Sequence, residues 1–401
     1  VATVSSQLGF EALWRNKKVT CFGWPFYAGR GLTDDLASEC LPYQRPNASL
    51  LELAHAALIE YPTYVHPDTQ LKCSVEEVMD YLHAHLLTRH IKCDQLIVND
   101  VSLWKRSFIS EFISSSANRI SYGKGRIKTE ITSNKELLTN SNKGFAYLLW
   151  GMKSPSIKVN SALWRMEDGF IRSVGLGADL RRPMSLIVDD IGIYYNGNSS
   201  SRLEVLLNDY VLGEYERQRT LKLLKLIQKS AITKYNVDSD ASGDLAKLKN
   251  QADGKDIILV VGQYQKDLSM AFGTLDIKTN IGLLKEVAQK FPAAFIIYKE
   301  HPDVYSGVRP GKLTREDVLK YASAYVTNTS ITRLFEISDR VCTICSLTGF
   351  EALMRDVKVS TFGLPFYASW GLTDDAQSMT RRKRTLSLIE LSYICLVLYP
   401  R

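Results

Sequence analysis

The segment GFEALWRNKKVTCFGWPFYAGRGLTDD at Gly9–Asp35 returns as GFEALMRDVKVSTFGLPFYASWGLTDD at Gly349–Asp375. Aligned over 6–35 and 346–375, 20 of 30 positions are identical. A second echo pairs SLLELAHAALIEYP at 49–62 with SLIELSYICLVLYP at 387–400, after a two-residue change in spacing. Solenoid repeats recur every ~20–50 residues. A separation of 340 residues is instead the scale of a duplicated domain. The chain is expected to hold the tail of one module and most of a second. Its opening VATVSSQLGF lies inside the motif and lacks a starting Met, the expectation for a fragment.

With 401 residues the chain exceeds one compact core. No run of about 18 apolar residues appears, so no membrane-spanning helix is expected. The opening has no basic and apolar leader pattern, so no signal peptide is expected either. Seven scattered cysteines suit a reducing cytoplasm. Cys342 and Cys345 sit in RVCTICS, which reads as a buried strand rather than a redox or metal motif. The histidines of HAHLLTRH have no partner at metal-ligand spacing. A net charge of +7 favours anionic partners. The densest basic run, RRKR at 381–384, reads as a solvated loop, with docking on an anionic membrane surface as the sharper alternative. Its counterpart PYQRPN is nearly uncharged, so the repeat itself is not expected to need it. No nucleic-acid motif is present.

The pattern between the repeats alternates strand and helix. GFAYLLWG (144–151), SALWRME (161–167), MSLIVDD and GIYYN read as strands. Residues 202–230 read as one amphipathic helix, with Leu221, Leu224 and Ile227 on one face. SDASGDLAKLKNQADGK reads as a polar linker. DIILVVG (256–262) is apolar without alternation, as a parallel strand covered on both faces requires. A helix at 277–290 and the strands AFIIYKE (294–300) and RVCTICS (340–346) follow. Two α/β domains are expected, with ligands at the carboxyl ends of their parallel strands. Ser346, Thr348 and Gly349 offer hydroxyls and backbone N–H groups at a helix start, suited to a phosphate. Plain helix capping is the alternative. Glu351 suits a ribose diol or a capping box.

Five motifs carry a resemblance: WRMEDGFIRSVGLG (164–177), SLIVDDIGIYY (185–195), YKEHPDV (298–304), SLTGFEAL (346–353) and PFYASWGLTDD (365–375). In order and spacing the chain resembles the bacterial capsule β-Kdo transferases, the KpsC-like proteins, where Kdo is 3-deoxy-D-manno-octulosonic acid. The resemblance implies an α/β fold of GT-B glycosyltransferase type, two Rossmann-like domains facing a cleft, preceded by a partial copy of a donor-domain end. It implies residues 1–92 as the C-terminal remnant of a first module, 93–250 as the acceptor-side domain, and 251–401 as the CMP-sugar domain, truncated at its C-terminus; with no equivalent of Asp267 or His301, residues 1–90 are expected to be catalytically inert. It implies retaining transfer from CMP-β-Kdo to an oligo-Kdo linker on lysophosphatidylglycerol, in the cytoplasm at the inner membrane, with other capsule assembly proteins as partners and no nucleic acid.

By motif, Asp267 is the implied catalytic carboxylate, as the only carboxylate in its loop before Gly273. His301–Pro302 matches the family's His-Pro pair, but Glu300 stands where Pro is usual. Gln263, Lys299, Ser346, Thr348, Gly349 and Glu351 are the implied donor-binding residues. Glu167, Asp168 and Arg172 are the implied acceptor-side residues, with a structural salt bridge as the alternative. Departure of CMP needs a cationic or N–H-rich pocket. No DxD-like pair stands out, so neither cofactor nor metal is expected. Another CMP-sugar transferase and a non-catalytic polysaccharide-binding fragment are the two rival readings.

Overall fold

The computed structural model describes residues 1–37, 44–67, 70–87, 94–113, 119–123, 145–153, 162–175, 180–236, 245–305, 307 and 309–401. These form two compact units, Val1–Leu86 and Leu87–Arg401.

The larger unit is built on two α/β sheets. The strand Ile257–Val261 shows why one of them forms. All five residues are buried, and alternate side chains leave opposite faces of a strand. Ile258 and Val260 pack with Leu283, Leu284 and Val287 of the helix Asn280–Lys290. Ile257, Leu259 and Val261 pack on the other face with Phe350 and Phe366. The sheet runs in the order Ala324–Val326, Phe295–Lys299, Ile257–Val261, Arg340–Thr343, Lys358–Thr361, Asp374–Asp375, all parallel. Chain order reverses between Ile257–Val261 and Arg340–Thr343, which makes a crevice outside their carboxyl ends.

The second sheet runs Leu186–Asp189, Ala162–Asp168, Phe145–Trp150, Gln95–Asn99, Arg119–Gly123. Only its first pair is antiparallel. The helix Leu103–Ile113 covers one face through Phe108, Ile109 and Ile113.

Three expected elements differ. GIYYN is turn, not strand, because Gly192 approaches the Ser200 carbonyl and Asn196 bonds back to Ile193. The helix expected over 202–230 is two, Arg202–Asp209 and Glu214–Lys229. Extended backbone at Tyr210 and the Gly213 N–H, which donates to Glu216 at 2.7 Å, separate them. Leu224 and Ile227 are buried while Leu221 is exposed. The polar stretch before Ile257 contains the helix Leu245–Ala252, and its residues 239–244 lie outside those described.

The chain end crosses back between the sheets. The helix Leu388–Tyr393 packs on Glu214–Lys229. Arg401 and Leu186 exchange backbone hydrogen bonds of 3.0 and 2.7 Å, and the Tyr399 hydroxyl donates to Asp189 at 2.7 Å. The basic run is part of this crossing, not a solvated loop. Arg381 pairs with Glu204 at 2.7 Å, and Arg382 reaches the other oxygen at 3.5 Å. Arg382 also donates to the carbonyls of Pro365 and Ala368, both at 2.6 Å. Arg384 donates to the Tyr210 carbonyl and to Glu390. Of the four, Lys383 alone is exposed.

The smaller unit repeats the local design. Its parallel strands Ala2–Thr3, Thr20–Cys21 and Asp34–Asp35 match the edge of the larger sheet. Tyr27 bonds the Ser6 carbonyl as Tyr367 bonds that of Ser346. Asp35 accepts from Gly29 and Thr33 as Asp375 accepts from Ser369 and Thr373. Arg45 donates to Pro25 and Ala28 as Arg382 does to Pro365 and Ala368. So the repeat does need one arginine here, which the sparse charge of PYQRPN conceals. Val4, Phe22, Phe26 and Tyr61 are exposed, whereas their counterparts Ile344, Phe362, Phe366 and Tyr399 are buried.

Three substitutions test these contacts. The Arg382 side chain is 4% exposed. Arg382→Met should cost about 3 kcal/mol in an unfolding titration, the low end for a broken buried pair because Arg381 still faces Glu204. Lys383→Met should stay within about 0.5 kcal/mol. Gly349 packs against Tyr367 so closely that an added Cβ would lie 2.2 Å from its hydroxyl. Gly349→Ala should therefore cost about 1–3 kcal/mol as overpacking.

Candidate functional site

A cleft of about 1130 Å³ opens between the carboxyl ends of the two sheets. The six-stranded sheet supplies the loops after Ile257–Val261, Phe295–Lys299 and Arg340–Thr343. The five-stranded sheet supplies Glu167 and Asp168 at the end of Ala162–Asp168.

On the first wall, Asp267 caps the short helix Leu268–Phe272, accepting from the Ser269 N–H at 2.9 Å. Its second oxygen lies 3.6 Å from an Arg309 nitrogen. His301 lies in the same wall, and its Nδ1 accepts from the Asp303 N–H at 3.2 Å. Burial lowers the His301 pKa first, against the pull of Asp303. The ring is thus neutral near pH 7, with Nε2 left to carry the proton. Lys299 is buried and donates to the Thr327 carbonyl at 3.0 Å. Burial pushes its ammonium down to about 8, partly offset by Glu300. Glu300 itself is fully buried, and its carboxylate accepts from the Tyr298 hydroxyl and the N–H groups of His301 and Leu313. Its charge is held by three donors within the fold.

Gln263 ties the two loops at the chain-order reversal together. Its Oε1 accepts from the Cys345 N–H at 2.9 Å and the Thr343 hydroxyl at 3.3 Å. The Ser346 hydroxyl donates to Thr348 at 3.0 Å and accepts from the Thr348 N–H at 3.2 Å, both residues lining the cleft. Gly349 is a packing glycine under Tyr367 rather than part of the lining. Glu351 is buried and accepts from the Lys234 N–H at 2.8 Å. It is neither a capping-box carboxylate nor a free ribose acceptor at that oxygen. It fastens the segment after Glu214–Lys229 to the six-stranded side. Cys342 is buried and Cys345 half-buried in the cleft wall, and desolvation raises their thiols to about 12 and about 11. Neither is a reactive thiolate.

On the opposite wall, burial and the adjacent Asp168 raise the Glu167 carboxyl to about 7. Asp168 pairs with Arg172 at 2.7 Å. Arg172 is 3% exposed and lies beneath the wall, where it also bonds Ser173. The structural salt bridge is therefore realised for Arg172. Burial opposes the Lys234 ammonium, but Tyr235, Tyr194, Asp168 and Glu167 together hold it above its ordinary value.

Sequence reasoning missed Arg309, Tyr194, Tyr195 and Lys234, all lining the cleft. Arg309 stacks over Tyr264 at 4.5 Å and bridges Asp267 and Asp303. The only sequence signal for it is a basic residue a few positions after His301–Pro302. Tyr194 and Tyr195 sit in GIYYN, which reads as a strand. Among the described residues no three His, Cys, Asp or Glu side chains converge as metal ligands, and no helix is long and apolar enough to cross a membrane. The side chains of His85 and His90 lie outside those described.

The chain matches the family described as capsule polysaccharide biosynthesis protein over residues 1–64, 148–222 and 211–397. It is 38% identical over 410 residues to the capsule polysaccharide modification protein LipA of Neisseria meningitidis, covering 100% of this chain and 56% of the relative. It thus spans about half the length of that relative. It is 36% identical to the lipopolysaccharide-processing protein LpsZ of Rhizobium meliloti, over 76% of this chain and 69% of the relative. Two solved structures of Thermosulfurimonas dismutans KpsC are similar. The β-Kdo 2,7 transferase is 32% identical with a TM-score of 0.60, over 76% of this chain and 91% of that one. The β-Kdo 2,4 transferase is 30% identical with a TM-score of 0.62, over 78% and 93%. This chain belongs to the capsule polysaccharide biosynthesis protein family, as a KpsC-like member.

Proposed function

We propose that the cleft is the active site of a retaining β-Kdo transferase of GT-B type. It takes Kdo from CMP-β-Kdo, without a metal, and adds it to an oligo-Kdo linker on lysophosphatidylglycerol at the cytoplasmic face of the inner membrane. The 93–250 side holds the acceptor and the 251–401 side the donor. The observation that supports this reading is the meeting of Asp267, His301 and Lys299 with Glu167 and Asp168 across one cleft, in a chain similar to two Kdo transferases.

Retention by two inversions needs a nucleophile beside the anomeric carbon. In this reading an Asp267 oxygen attacks the ketose carbon, and the bond to the CMP phosphate oxygen breaks with its electron pair. Lys299, the Ser346 and Thr348 hydroxyls and the His301 Nε2–H receive the phosphate and sugar carboxylate. Arg309 exchanges its contact with Asp267 for the incoming anion. The acceptor hydroxyl then displaces Asp267 from the same carbon.

Asp267→Ala should fold, bind CMP and lose transfer by at least about 10³-fold, as loss of a covalent nucleophile does. Near-normal turnover would remove Asp267 from this role. Lys299 supplies a second test. An anion beside it favours its charged form, so CMP binding should be tightest below about pH 8. Affinity measured by calorimetry should then fall roughly tenfold by pH 10. In Lys299→Met that fall should vanish. A wild-type affinity flat across this range would place the phosphate elsewhere.

A further inference from the structure

The helix Glu214–Lys229 buries Thr220, Leu224 and Ile227 on one side. Its other side is not the polar face that a surface helix usually turns to water. Tyr215 and Leu226 are 54% and 55% exposed, and Leu221 and the preceding Val211 are exposed with them. Lys222, Lys225 and Lys229 stand in solvent among these side chains. At about 100° per residue, Tyr215, Lys222, Leu226 and Lys229 fall along one stripe, with Leu221 and Lys225 beside it. Acid is scarce on this side. Of the helix's two glutamates, Glu216 is buried and accepts from the Tyr210 hydroxyl and the Gly213 N–H. Glu214, in the first turn, accepts from Gln218 at 2.7 Å.

A solvated helix face sets its lysines against glutamates three or four positions away. Here the positions four before Lys222, Lys225 and Lys229 hold Gln218, Leu221 and Lys225. Lys225 therefore faces like charges at Lys222 and Lys229, which weakens an isolated helix. A stripe that keeps apolar side chains in water and gathers one sign of charge fits a surface that is apolar and anionic at once. We propose that it docks on an anionic lipid bilayer. Tyr215, Leu221 and Leu226 enter the boundary between headgroups and acyl chains, and the lysine stems lie along it with their ammonium groups on lipid phosphates. The denser basic run at 381–384 does not serve, because its arginines are paired within the fold. The helix leads directly into Ser230 and Ala231, which are exposed and line the cleft. A bilayer against the stripe thus meets the protein beside the cleft mouth and delivers a lipid-linked sugar chain there. That delivery rests on the reading above, in which the acceptor is carried on a lipid; the contact with the bilayer does not.

The test is co-sedimentation of the full chain with vesicles, either pure phosphatidylcholine or phosphatidylcholine mixed with phosphatidylglycerol, with no sugar present. The wild type should bind the mixed vesicles, bind the neutral ones at least about tenfold more weakly, and lose binding as salt is raised. Lys222→Gln, Lys225→Gln and Lys229→Gln together should weaken binding to the mixed vesicles about 10²-fold, roughly fivefold per lysine. Leu221→Gln with Leu226→Gln should weaken it about tenfold and keep the salt dependence. Both variants should transfer Kdo to a soluble acceptor at the wild-type rate and lose rate only on an acceptor embedded in vesicles. Failure of transfer to either acceptor in the wild type counts against the transferase reading, while the sedimentation still decides the docking. Wild-type binding by the triple variant, or equal binding to neutral and anionic vesicles, overturns the proposal. A wild type that ignores vesicles but self-associates or holds another protein through this helix overturns it too. If the triple variant fails to fold, Lys225→Gln alone decides: binding about fivefold weaker supports the docking, and unchanged binding contradicts it.

Discussion

Phe170 is the contact on which the geometry of the cleft depends. It stands two residues after Asp168, yet its ring stacks on Phe366 of the other half at 4.5 Å and meets Phe350 at 6.1 Å. Tyr194 and Tyr399 complete the cluster from the turn after Leu186–Asp189 and from the returning chain end. Offset and edge-to-face aromatic pairs have preferred geometries and bury large areas. One apolar joint therefore sets the distance between the carboxylates of one sheet and the loops of the other. Phe170, Ile187, Leu259 and Phe366 share a single core cluster, so the cleft has a rigid floor rather than a free hinge at this point.

Charge completes the joint where apolar packing ends. Glu204 enters from the helix Arg202–Asp209 and is matched by Arg381 and Arg382 from the returning chain end. Arg382 serves its own turn and the crossing at once, since it also bonds Pro365 and Ala368. The smaller unit keeps only the first duty, in Arg45. A local turn clamp has thus been extended into a link between halves by adding basic neighbours. The three arginines of the positive run are paired within the fold, and Lys383 faces solvent.

Much of this was legible in the sequence because the six-stranded sheet is covered on both faces. Ile257–Val261 is a continuous apolar run, and Phe295–Lys299 is one up to its final lysine; such runs announce themselves. The loops after them follow from strand order, and Asp267, Lys299, His301 and Ser346 line one cleft at the strand ends. Residues whose partners lie far along the chain were not legible. Arg172 reads like Lys or Arg on any loop until Asp168 and a closed roof place it inside. Glu351 looks like a capping residue, but its partner is the backbone of Lys234, 117 positions earlier. GIYYN has the alternation of a strand, and Ile193 and Tyr195 are indeed buried, but they are buried from a turn. In each case the periodicity reports burial, while the backbone is set by tertiary contacts that no short window contains.

The account as a whole stands on donor identity. The direct measurement is incubation of the purified chain with CMP-Kdo, or with CMP-sialic acid, and a Kdo-terminated acceptor, followed by NMR of the product. The account predicts one CMP released per Kdo added, a new β-linked Kdo residue, and no turnover of CMP-sialic acid. Turnover of CMP-sialic acid with none of CMP-Kdo, or a product of inverted anomeric configuration, would contradict it.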